Sequence, residues 1–259
     1  MIPKVIHYCW FGRNPKPKSV LDCMASWRKY CPDYEIKEWN EDNFPINDNL
    51  YCKQAYEHKK WAFATDYARL VIIYENGGIY LDTDVELIRP IDDLLKHKFY
   101  IGRQHGFEIN TGSGFGAEKG HPVLKKMIED YEGIPFIKED GTMDLLTCPK
   151  RNSRWLFENG MKNDDSYQEI HDVAIYPIEY FSPLDSWSGR MWSSEKTYSI
   201  HHCEATWNPK ESKMKRHIRF GWYKMRSVGD FILHIPHKLL KRILGLNGYN
   251  KLIHFLGIR

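Results

Sequence analysis

The chain has 259 residues, 27% of them charged and 42% apolar, which is ordinary for a globular protein and enough to bury a sizeable core as one large or two small domains. No run approaches 18 uninterrupted apolar residues, so the pattern holds no membrane-spanning helix. The net charge of +3 is small, but it divides into −7 over residues 1–212 and +10 over residues 213–259.

Met1 runs directly into Lys4–Trp10, a first strand with no apolar leader ahead of it. Six cysteines (Cys9, Cys23, Cys31, Cys52, Cys148, Cys203) form no C-x-x-C pair and no zinc spacing, so free thiols in a reducing cytoplasm are expected. Pro15 and Pro17 hold off the next helix until Ser19, where Val20, Met24 and Trp27 recur at helical spacing as far as Tyr30. Residues 34–39 alternate as a second strand, and 50–58 form a short helix.

The stretch from Ala62 to Glu86 organises the rest. At 100° per residue Ala62, Asp66, Arg69 and Ile73 share one stripe of a helix that is apolar nearly all round, the mark of a core helix. A charged pair there is costly unless each member has a partner. Asn76-Gly77-Gly78 ends the helix, and Ile79-Tyr80-Leu81 reads as a short buried strand. Asp82-Thr83-Asp84 follows at its carboxyl end, where open α/β sheets place their ligands. Two carboxylates one residue apart repel each other, and a cation between them is the usual way to keep both ionised. Hard oxygen ligands of this kind suit Mn²⁺ or Mg²⁺ with positions left open for phosphate oxygens.

Downstream, Phe99–Gly102 is a strand and Ile109–Ala117 a segment rich in small residues. A helix runs from His121 to Tyr131, and residues 143–159 are expected to be helical with a break near Pro149. Val173–Tyr176 is a strand, and the loop 185–195, with Trp187 and Trp192, is a candidate acceptor-facing lid. Thr197–Cys203 is the last strand. Neighbouring strand residues face opposite ways, so only one of His201 and His202 can reach a metal held by the acidic pair.

Asp66-x-x-Arg69, then Gly77-Gly78-x-Tyr80-x-Asp82-x-Asp84, with Ile2–Gly12, Asn110-Thr111-Gly112 and His201-His202, resembles the DXD-motif glycosyltransferases of family 32 over residues 1–210. These include initiating mannosyltransferases, capsule and lipopolysaccharide enzymes, and the catalytic core of clostridial glucosylating toxins. The resemblance implies an α/β GT-A-type fold, a mixed central sheet flanked by helices, over residues 1–212; residues 213–259 read on their own pattern as a basic helical extension. It implies retaining transfer of a hexose from a UDP- or GDP-sugar to a saccharide or lipid-linked saccharide. Asp66, Arg69, Asp82 and Asp84 would be catalytic. Ile6, His7, Trp10, Tyr80, Asn110, Thr111, Gly112 and Trp207 would join Asp66, Arg69 and Asp82 around the donor. Asp82, Asp84 and His201, with His202 as fallback, would hold the metal. Glu204-Ala205-Thr206-Trp207 departs from the Gly-Ser-Trp usual there, while Trp207 is retained.

In the tail, Ile232, Ile235, Leu239 and Ile243 recur at helical spacing beside Lys238, Lys241 and Arg242. This basic amphipathic pattern suits the anionic inner face of a cytoplasmic membrane, and no motif points to nucleic acid. Two rivals stand beside a surface-glycan transferase: a metal-dependent phosphohydrolase, and a non-catalytic, membrane-docked carbohydrate-binding protein.

Overall fold

A computed structural model describes residues 1–185 and 189–203; the expected basic tail, Trp187 and Trp207 lie outside these described residues. In chain order the elements are β1 (Val5–Cys9), α1 (Lys18–Tyr30), β2 (Glu35–Trp39), α2 (Leu50–Glu57), α3 (Trp61–Asn76), β3 (Gly78–Tyr80) and β4 (Val85–Leu87). There follow β5 (Phe99–Gly102), β6 (Phe115–Ala117), α4 (Pro122–Glu129), α5 (Cys148–Glu158), β7 (Gln168–Ile170), β8 (Val173–Tyr176), α6 (Ile178–Phe181) and β9 (Ser199–His201).

Seven strands form one mixed sheet in the order β2-β1-β3-β6-β5-β8-β7, while β4 and β9 pair separately. β1 runs parallel to β2 and β3, and the direction reverses at β6. Strand side chains alternate across the sheet, and two cores result. Cys9, Tyr80, Phe99, Ile101, Phe115, Val173 and Ile175 face a core filled from α2, α3, α4 and α5. Ile6, Tyr8, Ile79, Tyr100 and Ala174 face a second core filled from α1, β4 and α6. Trp27, fully buried, donates its indole N–H to the Val85 carbonyl at 2.7 Å, which fixes α1 against β4. No helix of the described residues is long and apolar enough to cross a membrane.

α3 forms where its periodicity predicts, burying Phe63, Ala64, Ala68, Leu70, Ile72 and Ile73 together with Asp66 and Arg69. It ends at Gly77 (φ +70°), and Gly78 follows at φ +104°, a region closed to most L-residues. A Cβ on Gly78 would sit 2.8 Å from both the His7 ring and the Val5 carbonyl, so β3 can lie against β1 only with glycine there.

One expectation changes. Residues 143–147 are not helical: α5 begins at Cys148, with Pro149 in its first turn, where a missing N–H removes nothing. Met143 instead bridges back to Ile137. Within the small-residue segment only Phe115–Ala117 is a strand, and residues 110–114 turn toward the acidic pair. β7, whose exposure pattern shows little burial, carried no alternation strong enough to announce it.

Candidate active site

α3, the end of β3, the 110–114 turn and β9 converge on one cluster. Arg69 is its centre: Nη2 lies 3.1 Å from both Asp66 Oδ1 and Asp82 Oδ1. Nη1 reaches the Thr111 hydroxyl at 3.5 Å and the Cys148 sulfur at 3.8 Å, and Nε donates to the Thr65 carbonyl. The guanidinium also lies over the Tyr80 ring, 5.1 Å from its centroid, while the Tyr80 hydroxyl donates to Asp82 at 3.1 Å. The buried charge pair anticipated from sequence is therefore a three-member array in which one guanidinium serves two carboxylates.

Burial sets the electrostatics. It lifts the Asp66 carboxyl to about 6, although Arg69 pulls the other way. Burial also raises Asp82, and the neighbouring charge of Asp84 adds to that rise against the pull of Arg69. Burial alone would lower the pKa of Arg69, but Asp82 and Asp66 more than reverse it, so its charge is permanent.

Asp82, Asp84 and His201 each offer a ligand atom, all within 4.8 Å of one another. Antiparallel pairing sets His201 opposite Val85, bringing its Nε2 to 3.3 Å from Asp84 Oδ1. Ser113 lies 3.1 Å from His201 Nδ1, leaving Nε2 to face the carboxylates, the arrangement that orients a metal-binding imidazole. His202 points elsewhere, with its Nε2 3.0 Å from Glu86. Burial tends to lower His201, but the Cys203 and Asp84 side chains outweigh it, and a cation would compete with that proton. Two carboxylates and one imidazole fit Mn²⁺ or Mg²⁺ with coordination positions to spare.

The 110–114 turn carries the remaining predicted residues. Asn110 Oδ1 accepts from the Gly112 N–H at 2.8 Å, and its amide donates to Gln104 at 3.0 Å. Gly112 is hemmed in by polar groups: a Cβ there would lie 2.5 Å from Asp82 Oδ2 and 3.1 Å from both Arg69 Nη1 and Asn110 Oδ1. Thr111 is fully buried and holds Arg69.

β1 contributes differently. Ile6 is fully buried in the sheet. His7 is 2% exposed, and both ring nitrogens are engaged: Trp39 donates to Nδ1 at 3.0 Å, and Nε2 donates to the Gly77 carbonyl at 3.1 Å. Its ring braces the glycine turn. Trp10, half-buried at the end of β1, donates its indole N–H to the Asn14 carbonyl and has Lys16 over its ring.

Sequence reading missed three residues of α5. Ser153 accepts from the Ile109 N–H at 2.9 Å, and Asn152 donates to the Thr111 hydroxyl at 3.1 Å, so the helix grips the chain on both sides of Asn110. Cys148, one turn earlier, joins Arg69 and Asp66. Burial pushes this thiol well up, and the Asp66 charge adds to the effect. No sequence pattern links residues 148–153 to 110, since the contact is made only by folding.

The structure thus sets an acidic pair at the tip of a central strand of a mixed sheet, backed by a buried Asp–Arg helix. Residues 17–100 match the family model of the glycosyltransferase sugar-binding region containing a DXD motif. Inositol phosphoceramide mannosyltransferase 3 of Schizosaccharomyces pombe is 30% identical over 139 residues, covering 52% of this chain and 38% of that protein. The chain thus aligns with well under half of that relative's length. An uncharacterized glycosyltransferase, L373, of Acanthamoeba polyphaga mimivirus is 21% identical over 220 residues, 81% of this chain and 85% of the other. Among solved structures, PaToxG glycosyltransferase covers 61% of this chain and 69% of its own, at 18% identity and a TM-score of 0.48.

Proposed function

We propose that this protein is a metal-dependent, retaining hexosyltransferase that moves a sugar from a UDP- or GDP-hexose to a saccharide or lipid-linked saccharide hydroxyl, in synthesis of a surface glycan. The observation that carries this reading is the convergence of Asp82, Asp84 and His201 beside an Arg69 shared by Asp66 and Asp82. The family-model match over residues 17–100 and a mannosyltransferase among the similar proteins support a hexose donor.

Asp84 and His201 would hold the cation directly, and Asp82 would contact it or the ribose. When bound, the cation neutralises charge that grows on the departing diphosphate. Asp66, Arg69 and Asn110 would orient the sugar hydroxyls, with Tyr80 backing Arg69 as a wall. Asp66 and Asp82 are both engaged by Arg69, which disfavours either as a free nucleophile. A front-face route follows, in which the acceptor oxygen attacks the anomeric carbon, the glycosyl–phosphate bond breaks, and the departing phosphate oxygen takes the acceptor proton.

Product analysis after incubation with Mn²⁺ and UDP- or GDP-hexoses tests this reading. The expected products are nucleoside diphosphate and a glycoside of unchanged anomeric configuration. Free phosphate or nucleoside monophosphate without glycoside would point to a phosphohydrolase. Sugar binding indifferent to Asp84→Ala, without turnover in any form, would point to a carbohydrate-binding protein.

The basic tail, outside the described residues, supports a peripheral position on the inner face of the cytoplasmic membrane.

A further inference from the structure

We infer that Trp192, with the hairpin from Arg103 to Ile109, forms the acceptor wall of this site and takes a saccharide against its exposed indole face. The inference rests on the transferase reading above and assigns where the second substrate lies.

Trp192 is 47% exposed, an unusual share for so large a ring. Its ring centroid is 5.2 Å from that of His105. The pair is tethered to the candidate active site from two directions. On one side, His105 follows Gln104, whose Oε1 accepts directly from the Asn110 amide at 3.0 Å. On the other, the Trp192 backbone N–H donates to the Pro183 carbonyl at 2.9 Å, and Pro183 follows Ser182. Ser182 bonds to Ser113 at 2.7 Å, and Ser113 bonds to His201. Trp192 is therefore linked through its ring neighbour His105 toward the residue assigned to the donor sugar, and through its backbone toward the imidazole assigned to the cation.

The hairpin is built to hold its place. Arg103 is fully buried, and its guanidinium donates to the carbonyls of Phe107 and Lys162. Gln104 N–H closes the turn on the Glu108 carbonyl at 2.9 Å, and Arg103 bridges to Ile109. Leu184 bridges to Met191 and so fixes the backbone on which Trp192 stands.

The chemistry selects a sugar. An aromatic face matches the apolar C–H face of a pyranose, and a few polar groups beside it set orientation. His105 supplies such a group: its Nε2 is covered from solvent and has no hydrogen-bond partner among the described residues. A buried polar atom left so is unfavourable, and a sugar hydroxyl arriving beside the indole would give it a partner.

Protein loaded with Mn²⁺ and UDP or GDP is titrated with methyl glycosides of mannose, galactose, glucose and N-acetylglucosamine, read by saturation-transfer NMR. Nucleotide affinity and thermal midpoint are measured in parallel. The expected result is that the wild type binds at least one glycoside. Trp192→Ala and His105→Ala should then weaken it about tenfold or more, Trp192→Phe much less, with folding intact. Equal glycoside binding by Trp192→Ala, equal loss of nucleotide and glycoside, or no glycoside bound by nucleotide-loaded wild type would overturn the assignment. Failure of the wild type to bind UDP or GDP with Mn²⁺ would instead sink the transferase reading on which it stands.

Discussion

At the scale of single residues, the site is governed by how little space and charge it can spare. Gly112 is the plainest case, because a Cβ there would meet Asp82, Arg69 and Asn110. Gly112→Ala should therefore displace Asp82 and lower kcat/KM about 100-fold, the scale of an ångström misplacement, with little change in thermal midpoint. An unchanged kcat/KM would contradict the packing described. His7 gives a pH dependence with a defined sign. Burial first, and then the Lys37 charge, depress its pKa to about 4, against 6.5 for an ordinary histidine. Between those values the unfolded chain binds the extra proton, so stability is full above about 6.5 and falls as pH drops toward 4, by up to about 3 kcal/mol. Urea midpoints at about pH 7 and about pH 5 should differ less in His7→Gln than in the wild type. Asp66, Arg69, Asp82 and Asp84 were legible from sequence because helix period and strand end placed them together. The engaged state of both His7 nitrogens was not, because Trp39 and Gly77 reach the ring only through strand pairing and the turn.

At the scale of elements, α5 does what the motif residues cannot do alone. Ser153 and Asn152 hold Ile109 and Thr111, leaving Asn110 between two fixed points. Asn152→Ala would leave the buried Thr111 and Tyr131 hydroxyls short of a partner. A stability loss of about 1–3 kcal/mol is expected, together with a fall in kcat that exceeds any change in donor KM. Loss of stability at full kcat would reduce α5 to scaffolding. The sequence pattern placed α1, α3, β5 and β8 closely, since each has strong periodicity or a bounded apolar run. It misplaced the start of α5, where Met143-Asp144-Leu145-Leu146-Thr147 offers no helix stop and Pro149 reads as a break although it sits in a first turn. The choice between His201 and His202 became legible only with the β4–β9 register, which turns one toward Asp84 and the other toward Glu86.

At the scale of the whole molecule, the charge asymmetry separates a body that holds the candidate site from a basic tail of +10. If the tail meets anionic lipid, flotation with phosphatidylserine vesicles should fall steeply with salt and with Lys238→Glu, Lys241→Glu and Arg242→Glu combined, while binding to neutral vesicles stays weak throughout. Salt-independent binding would contradict it. The central claim, however, is that Asp82, Asp84 and His201 hold a divalent cation on which a nucleoside diphosphate depends. The most direct measurement is calorimetric titration of UDP and GDP into the protein with and without Mn²⁺, for the wild type and Asp84→Asn. The account predicts tight binding of one nucleotide only with Mn²⁺, lost in Asp84→Asn at unchanged thermal midpoint. Nucleotide binding that ignores Mn²⁺ and survives Asp84→Asn would contradict it.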